Sequence, residues 1–186
     1  MAIILASASP RRKELLRFIT EDFTVSVSDA DETADPEKTP EETVKELARL
    51  KGEAVFLNFP EDTVIAADTV VVIDDTILGK PADKEDAFRM LRSLSGRSHY
   101  VYTGVFVKSK TEEISFAERT EVIFFELSDE EINAYIATDE PCDKAGSYGI
   151  QGKGSTLIRS ITGDYFNVVG LPVARLNREL KIHGLI

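Results

Sequence analysis

The fold of this 186-residue chain is decided by Ile3-Ile4-Leu5-Ala6-Ser7-Ala8-Ser9-Pro10-Arg11-Arg12. The apolar start of this stretch, Ile3 to Leu5, predicts a short buried strand. Ser9 is a favourable N-cap, and Pro10 suits the first helical position, where its missing N–H costs nothing. A helix is therefore predicted to begin directly after the strand and to run to Ile19.

The start of this helix combines several groups that bind anions. Backbone N–H groups and the positive end of the helix dipole are expected there. The hydroxyls of Ser7 and Ser9 and the side chains of Arg11 and Arg12 are close in sequence. This combination favours phosphate as the ligand. The alternative is a surface helix cap with solvated arginines.

Composition and charge exclude several classes of protein. With 42% hydrophobic and 30% charged residues, the chain has the composition of a globular protein. Its formal net charge of −11 argues against a nucleic-acid partner, although local basic clusters can still attract a small anion. The single cysteine, Cys142, excludes an internal disulfide. The two histidines, His99 and His183, argue against a zinc or copper site.

Signals for secretion or membrane insertion are not recognisable. The apolar residues 3–6 are far too few for a secretory core, and no apolar run approaches the length of a membrane helix. We therefore predict a cytoplasmic protein with no membrane partner.

Strands and helices alternate along the chain, which predicts an α/β fold with a mixed sheet and flanking helices. The predicted strands are residues 23–28, 63–73, 76–78, 156–161 and 166–169, with a hairpin of 98–108 and 114–126. Capping residues predict helices over 40–58, after Asp83, over 129–137 and from Pro172.

Asp68 stands out because it interrupts an apolar strand. A carboxylate buried among apolar side chains is costly unless another group compensates its charge. One interpretation places Asp68 at a strand end, where it caps a turn. The other makes it a metal ligand or general base at a strand end that faces a cleft.

Two lysines are also unusual in their local sequence. Lys51 lies in the apolar stripe of the helix over 40–58, so it either extends to the surface or directs its ammonium into an anion pocket. Lys80 lies between a glycine and a proline, which restrict the backbone. A rigid loop of this kind is a suitable place for a phosphate-binding lysine.

Two loops complete the set of candidate residues. The acidic loop 29–35 contains Asp31 and Glu32, which are either solvated or, folded over a phosphate site, able to help hold Mg²⁺. The glycine-rich segment 143–152 contains Gln151, whose amide has a donor and an acceptor that suit the edge of a pyrimidine base. The alternative is a glycine-rich connection with no ligand.

The candidate residues together indicate triphosphate chemistry. The charge on phosphate would be met by Arg11, Arg12, Lys51 and Lys80. With one cysteine and two scattered histidines, metal-assisted attack by water is favoured over covalent nucleophilic catalysis.

The motifs resemble those of the Maf proteins, a family of nucleoside triphosphate pyrophosphatases. The resemblance extends over nearly the whole chain and rests on residues 7–12, 32, 47–51, 66–71, 79–81, 94–96, 143–146, 148–152 and 167–172. One modest departure is Asp31-Glu32, where relatives often carry two glutamates. The resemblance implies a fold of the inosine-triphosphate-pyrophosphatase type: a single domain, 1–186, with two lobes around a cleft and a long mixed sheet.

The resemblance also implies an activity. The expected reaction is hydrolysis of a nucleoside triphosphate to the monophosphate and pyrophosphate with Mg²⁺ or Mn²⁺. Asp68 matches the family's proton acceptor and, with Glu32, is expected to hold the metal. The expected phosphate-binding residues are Ser7, Ser9, Arg12, Lys51 and Lys80. The positions that track substrate class are Arg11, Thr69 and Gln151, which look like the branch acting on dTTP and UTP, with CTP and modified pyrimidine nucleotides as further candidates.

Two other functions remain open from the sequence. The chain could be a non-catalytic nucleotide-binding regulator of cell division and septum formation, or a hydrolase of another phosphate ester, such as a sugar nucleotide. A nucleoside triphosphate is the expected partner, and the sequence leaves a homodimer open.

Overall fold

The computed structural model describes residues 2–30, 33, 35 and 37–186. The helices are α1 (Pro10–Leu16), α2 (Pro40–Phe56), α3 (Lys84–Leu94), α4 (Asp129–Ile136), α5 (Tyr165–Val169) and α6 (Val173–Ile182). The strands are β1 (Ile3–Leu5), β2 (Phe23–Val25), β3 (Thr63–Ile73), β4 (Thr76–Leu78), β5 (Ser98–Lys108), β6 (Glu113–Phe124) and β7 (Ile158–Thr162). The predicted α/β fold with flanking helices is confirmed.

The seven strands form one mixed sheet. Their order is β2-β1-β3-β5-β6-β7, and β4 pairs with β3. β1 is parallel to both neighbours, with Ile3 opposite Phe23 on β2 and Thr63 on β3. Since α1 follows β1 directly, it begins at the carboxyl end of a parallel strand, where α/β sheets place their ligands.

The chain divides into two compact units, called unit 1 and unit 2. Unit 1 comprises Met1–Thr69, Thr103–Glu118 and Gly170–Ile186, and unit 2 comprises Val70–Tyr102 and Arg119–Val169. Three strands, β3, β5 and β6, contribute residues to both. The single domain with two lobes around a cleft stays a prediction.

In unit 1, helix α2 lies unusually close to the sheet. A Cβ on Gly52 would be 2.4 Å from the Phe106 ring, and a Cβ on Gly104 would be 2.2 Å from the carbonyl oxygen of Val44. Only glycine permits these approaches, because a methyl group would overlap with its neighbours. The small distance between α2 and the sheet brings the side chain of Lys51 within reach of β3.

The core of unit 2 contains an aromatic cluster formed by His99, Phe124 and Tyr148. His99 is only 1% exposed, and its Nε2 lies 2.7 Å from the hydroxyl of Tyr148. Both rings contact Phe124 edge-to-face. The cluster anchors the glycine-rich segment that contains Tyr148 to the core of this unit.

Two local predictions are wrong. Helix α1 ends at Leu16, so it has seven residues and does not reach Ile19. The sequence predicts a strand over 166–169, whereas these residues belong to helix α5. The carboxylate of Asp164 accepts a hydrogen bond from the backbone N–H of Phe166 at 2.8 Å, and this local cap favours a helical turn.

None of the described helices has the length and apolar character that a membrane span requires.

The buried His99 generates a prediction about pH and stability. Burial lowers the pKa of His99 to about 4, whereas a histidine in an unfolded chain has a pKa of about 6.5. Between these values the unfolded chain binds a proton that the folded protein excludes. The stability that neutral His99 provides is therefore complete above about pH 6.5 and is lost as the pH falls toward about 4.

Urea denaturation of the wild type and of His99→Gln at about pH 7 and about pH 4.5 measures this effect. On acidification, the free energy of unfolding is expected to fall by about 2 kcal/mol more in the wild type than in the variant. Equal losses in the two proteins would contradict the prediction.

Candidate active site

The turn between β1 and α1 has the predicted local structure. The Ser9 hydroxyl caps α1 by accepting a hydrogen bond from the backbone N–H of Arg12 at 3.4 Å, and Pro10 occupies the first turn. The backbone N–H of Ser9 in turn donates to the hydroxyl of buried Ser7 at 3.3 Å. Because α1 is only seven residues long, its dipole is small, and the predicted binding of an anion here would depend mainly on side chains.

Arg12 is the centre of a hydrogen-bond network in unit 1. Its Nε donates to the carbonyl oxygen of Gly170 at 2.8 Å, and its Nη2 donates to the hydroxyl of Thr69 at 3.0 Å. Its Nη1 lies 3.4 Å from the Ser7 hydroxyl. Gly170 has φ 124°, a backbone conformation that favours glycine. These contacts hold the guanidinium in one orientation at the start of α1.

Asp68 and Lys51 form an ion pair within unit 1. The Lys51 Nζ lies 2.6 Å from Asp68 Oδ1, and the two side chains are only 12% and 13% exposed. Lys51 therefore points toward the sheet and does not extend to the surface. The ammonium supplies the compensating charge that a nearly buried carboxylate requires.

The predicted position of Asp68 at a strand end is wrong. β3 continues without interruption from Thr63 to Ile73, and Asp68 lies in its middle. The strand tolerates the carboxylate because Lys51 neutralises it from the neighbouring helix.

Thr69 connects the Arg12 network to the next strand of the sheet. Its hydroxyl, which accepts a hydrogen bond from Arg12, lies 2.9 Å from the hydroxyl of buried Thr103 on β5. Thr103 is not recognisable from the sequence, because a threonine within a strand is ordinary and only the pairing of β3 with β5 places it beside Thr69. The two hydroxyls fix the side chain of Thr69.

Unit 2 carries two of the predicted residues, Lys80 and Gln151. Lys80 is exposed directly after β4. The preceding residue, Gly79, accepts a hydrogen bond through its carbonyl oxygen from the N–H of Gly146 at 3.0 Å, which joins this turn to the glycine-rich segment. Gln151 is exposed at the start of a 3₁₀ turn, Gly152–Leu157, and its side chain makes no cap hydrogen bond to that turn.

Arg11 and the acidic loop complete the predicted set. Arg11 is half-buried in the first turn of α1. Asp31 and Glu32 lie outside the described residues. The predicted roles of all these residues, as phosphate ligands, metal ligands, specificity determinants or base, stay predictions.

The described residues fit a divalent cation only in combination with a substrate. Within residues 2–30, 33, 35 and 37–186, no three His, Cys, Asp or Glu side chains form a cluster that could hold a metal ion. Asp68 is the predicted metal ligand that the structure describes. Mg²⁺ is commonly held by one or two carboxylates together with substrate phosphates and water, so one carboxylate suits a metal that arrives with a triphosphate.

The chain is similar over nearly its whole length to one protein family and to relatives that share one name. The family model described as "Maf-like protein" matches residues 2–183. A dTTP/UTP pyrophosphatase of Bacillus cereus is 52% identical over 179 residues, covering 96% of this chain and 94% of the relative. The dTTP/UTP pyrophosphatase of Bacillus cytotoxicus is 55% identical over 178 residues, covering 96% and 93%.

A solved structure is similar in fold. The Ham1 protein of Staphylococcus aureus aligns with a TM-score of 0.55 and 16% identity, covering 97% of this chain and 98% of the Ham1 chain. This likeness supports the predicted fold class.

The ion pair generates a prediction about stability. Lys51→Met leaves the nearly buried Asp68 carboxylate without its ammonium partner and is expected to lower the free energy of unfolding by about 3 kcal/mol. The double variant Lys51→Met/Asp68→Leu removes both charges and is expected to recover most of this loss. Urea denaturation measures both.

The matched control is Lys45→Met on the same helix, because Lys45 pairs with Glu41 at an exposed position. Its effect should be much smaller than that of Lys51→Met. A Lys51→Met variant no less stable than the control would contradict the importance of the buried pair.

Proposed function

The chain belongs to the Maf-like protein family, and we propose that it hydrolyses dTTP and UTP to the nucleoside monophosphate and pyrophosphate. The structural observation that carries this proposal is the nearly buried pair of Lys51 and Asp68. The next residue in the strand, Thr69, accepts a hydrogen bond from Arg12. A candidate base and oriented cationic donors are thereby connected within one unit.

Phosphate binding falls mainly to side chains of unit 1. The Arg12 guanidinium is held by the Gly170 carbonyl and the Thr69 hydroxyl, so it loses little freedom on binding an anion. Ser7 and Ser9 supply hydroxyl groups beside it. Lys51 adds positive charge for the triphosphate. For Lys80, which is exposed in unit 2, a phosphate-binding role is what the family resemblance implies.

Asp68 is the proposed general base. The hydrogen bond from Lys51 to Oδ1 orients the carboxylate, which accepts a proton from a water molecule as the water oxygen attacks the α-phosphorus. The bond between the α-phosphorus and the bridging oxygen breaks, and pyrophosphate leaves. As the family resemblance implies, Asp68 and Glu32 would hold a divalent cation, Mg²⁺ or Mn²⁺, which would supply positive charge to the phosphates.

Three side chains are proposed to determine which nucleobase the substrate carries: Arg11, Thr69 and Gln151. The exposed amide of Gln151 presents a donor and an acceptor, as recognition of a pyrimidine edge requires. The Thr69 hydroxyl is already held by Arg12 and Thr103, so the side chain would limit the size of the nucleobase and would not adapt its position to it. CTP and modified pyrimidine nucleotides are further candidate substrates.

No observation on the described residues favours the alternative of a non-catalytic regulator of cell division and septum formation. A cytoplasmic location and the absence of a nucleic-acid partner stay predictions, and a homodimer, which the sequence leaves open, stays open.

The role of Asp68 is tested by Asp68→Asn. The amide cannot accept the proton from water, so kcat for dTTP is expected to fall at least about 100-fold. The dissociation constant for dTTP should change less than about threefold, since the phosphate-binding side chains remain. Pyrophosphate release in the presence of Mg²⁺ or Mn²⁺ measures turnover, and calorimetry measures binding.

Asp75→Asn is a suitable control, because Asp75 is exposed in a turn and asparagine tolerates its positive φ of 59°. Near-normal turnover by Asp68→Asn would contradict the assignment of Asp68 as the general base. Release of orthophosphate in place of pyrophosphate would indicate a different phosphate hydrolase.

The role of Gln151 is tested by Gln151→Ala. Loss of the amide is expected to lower the preference for dTTP over dGTP, as a ratio of kcat/KM, by about tenfold. An unchanged preference would show that other groups recognise the base.

A further inference from the structure

The segment that carries Gln151 is closed on itself within unit 2. A Cβ on Gly154 would lie 2.1 Å from the carbonyl oxygen of Gly149, so the two glycines are in backbone contact. Gln151 lies between these two ends. The segment from Gly149 to Gly154, here called the Gln151 loop, is therefore a small closed loop with an exposed amide near its tip.

Tyr135, on helix α4, holds the first end of this loop. Its ring is buried, with 4% of the residue exposed. Its hydroxyl accepts a hydrogen bond from the N–H of Gly149 at 3.1 Å and donates one to Glu140 Oε1, also at 3.1 Å. Burial raises the pKa of Tyr135, so the hydroxyl keeps the proton that it donates.

Glu140, shortly after α4, holds the other end of the Gln151 loop. Its Oε2 accepts a hydrogen bond from the N–H of Lys153 at 3.0 Å, and its Oε1 accepts one from the N–H of Gly154 at 3.1 Å. Burial raises the pKa of Glu140, but the hydrogen bonds from Gly154, Lys153 and Tyr135 outweigh it and lower the pKa overall. The Glu140 carboxylate thus accepts hydrogen bonds from the N–H groups of Lys153 and Gly154, which follow Gln151 in the chain.

Gly152 explains why the carboxylate can approach so closely. This residue has φ 65°, and a Cβ on it would lie 2.9 Å from Glu140 Oε2. The side chain of Lys144 also contacts this region, since its Nζ donates to the carbonyl oxygen of Glu140 at 2.5 Å. The carboxylate, its own backbone and the loop are therefore all held by specific contacts.

We propose that Tyr135 and Glu140 are positioning residues for base recognition. They hold the N–H groups of Gly149, Lys153 and Gly154, and thereby fix the loop backbone from which the Gln151 side chain extends. A preorganised loop presents the Gln151 side chain to a pyrimidine without the entropic cost of ordering the loop backbone on binding. This inference rests on the proposed function, because it assumes that Gln151 contacts the base of a nucleotide substrate.

The kinetic test uses Tyr135→Phe and Glu140→Gln, each made alone and in a Gln151→Ala background. Tyr135→Phe keeps the buried ring and removes only the hydroxyl. Glu140→Gln keeps the shape and replaces one acceptor oxygen by an NH₂ group. Each single variant is expected to raise KM for dTTP about tenfold, to change kcat less than about threefold and to reduce the preference for dTTP over dGTP.

The Gln151→Ala background separates positioning from general destabilisation. Once the amide is absent, its orientation no longer matters, so Tyr135→Phe and Glu140→Gln should change KM for dTTP less than about twofold further. Glu130→Gln, at an exposed position of the same helix, is the control and should behave like the wild type. Equal effects in both backgrounds, or a loss confined to kcat, would overturn the inference.

A second measurement does not depend on turnover. Amide hydrogen exchange at Gly149, Lys153 and Gly154 is expected to accelerate at least about tenfold in Tyr135→Phe and Glu140→Gln, with amides of β5 unchanged. Unchanged exchange in the Gln151 loop would overturn the inference. If the wild type releases no pyrophosphate, the proposed function fails, and the inference is then tested by calorimetric binding of dTTP. Weaker binding by both variants than by the wild type supports the positioning role. Equal binding by the wild type and the variants, or no detectable binding by any of them, overturns it.

Discussion

The ion pair between Lys51 and Asp68 is the interaction on which the arrangement of unit 1 depends. A carboxylate in the middle of a buried strand needs an opposite charge at short range, and the 2.6 Å contact with Lys51 provides it. The lysine reaches the strand because α2 lies close to the sheet. That approach in turn requires glycine at positions 52 and 104, where a Cβ would overlap with a ring or a backbone carbonyl. The packing of α2 and the ion pair between Lys51 and Asp68 therefore both depend on the close approach of this helix to the sheet.

The same strand joins the ion pair to the groups that suit phosphate. Thr69 follows Asp68 directly, and its hydroxyl connects Arg12 to Thr103. Because Arg12 also donates to the carbonyl oxygen of Gly170, the guanidinium is oriented before any ligand binds. Charged groups that are fixed in advance stabilise a transition state without the cost of reorganisation, which is the main source of catalysis expected for transfer of a phosphoryl group.

Much of the fold could be predicted from local sequence, but the pairing of distant residues could not. Helix caps depend on groups three positions apart, so they are readable from sequence and the structure confirms them. Asp68 and Lys51 were recognisable as misfits in apolar patterns, yet nothing local indicated that they form a pair. Tyr135 and Glu140 are ordinary residues near a helix end, and only the closure of the Gln151 loop reveals what they hold. The apolar run 166–169 predicts a strand, but the hydrogen bond from the Phe166 N–H to Asp164 favours a helical turn there.

The position at which water attacks the triphosphate tests the central claim most directly. In the proposed mechanism, Asp68 activates a water molecule for attack on the α-phosphorus, and pyrophosphate leaves. Hydrolysis of dTTP in water enriched in heavy oxygen, followed by mass spectrometry of both products, locates the new bond. We predict that the heavy oxygen appears in the nucleoside monophosphate and that the pyrophosphate carries none. Heavy oxygen in the pyrophosphate would mean attack on the β-phosphorus and would contradict the mechanism.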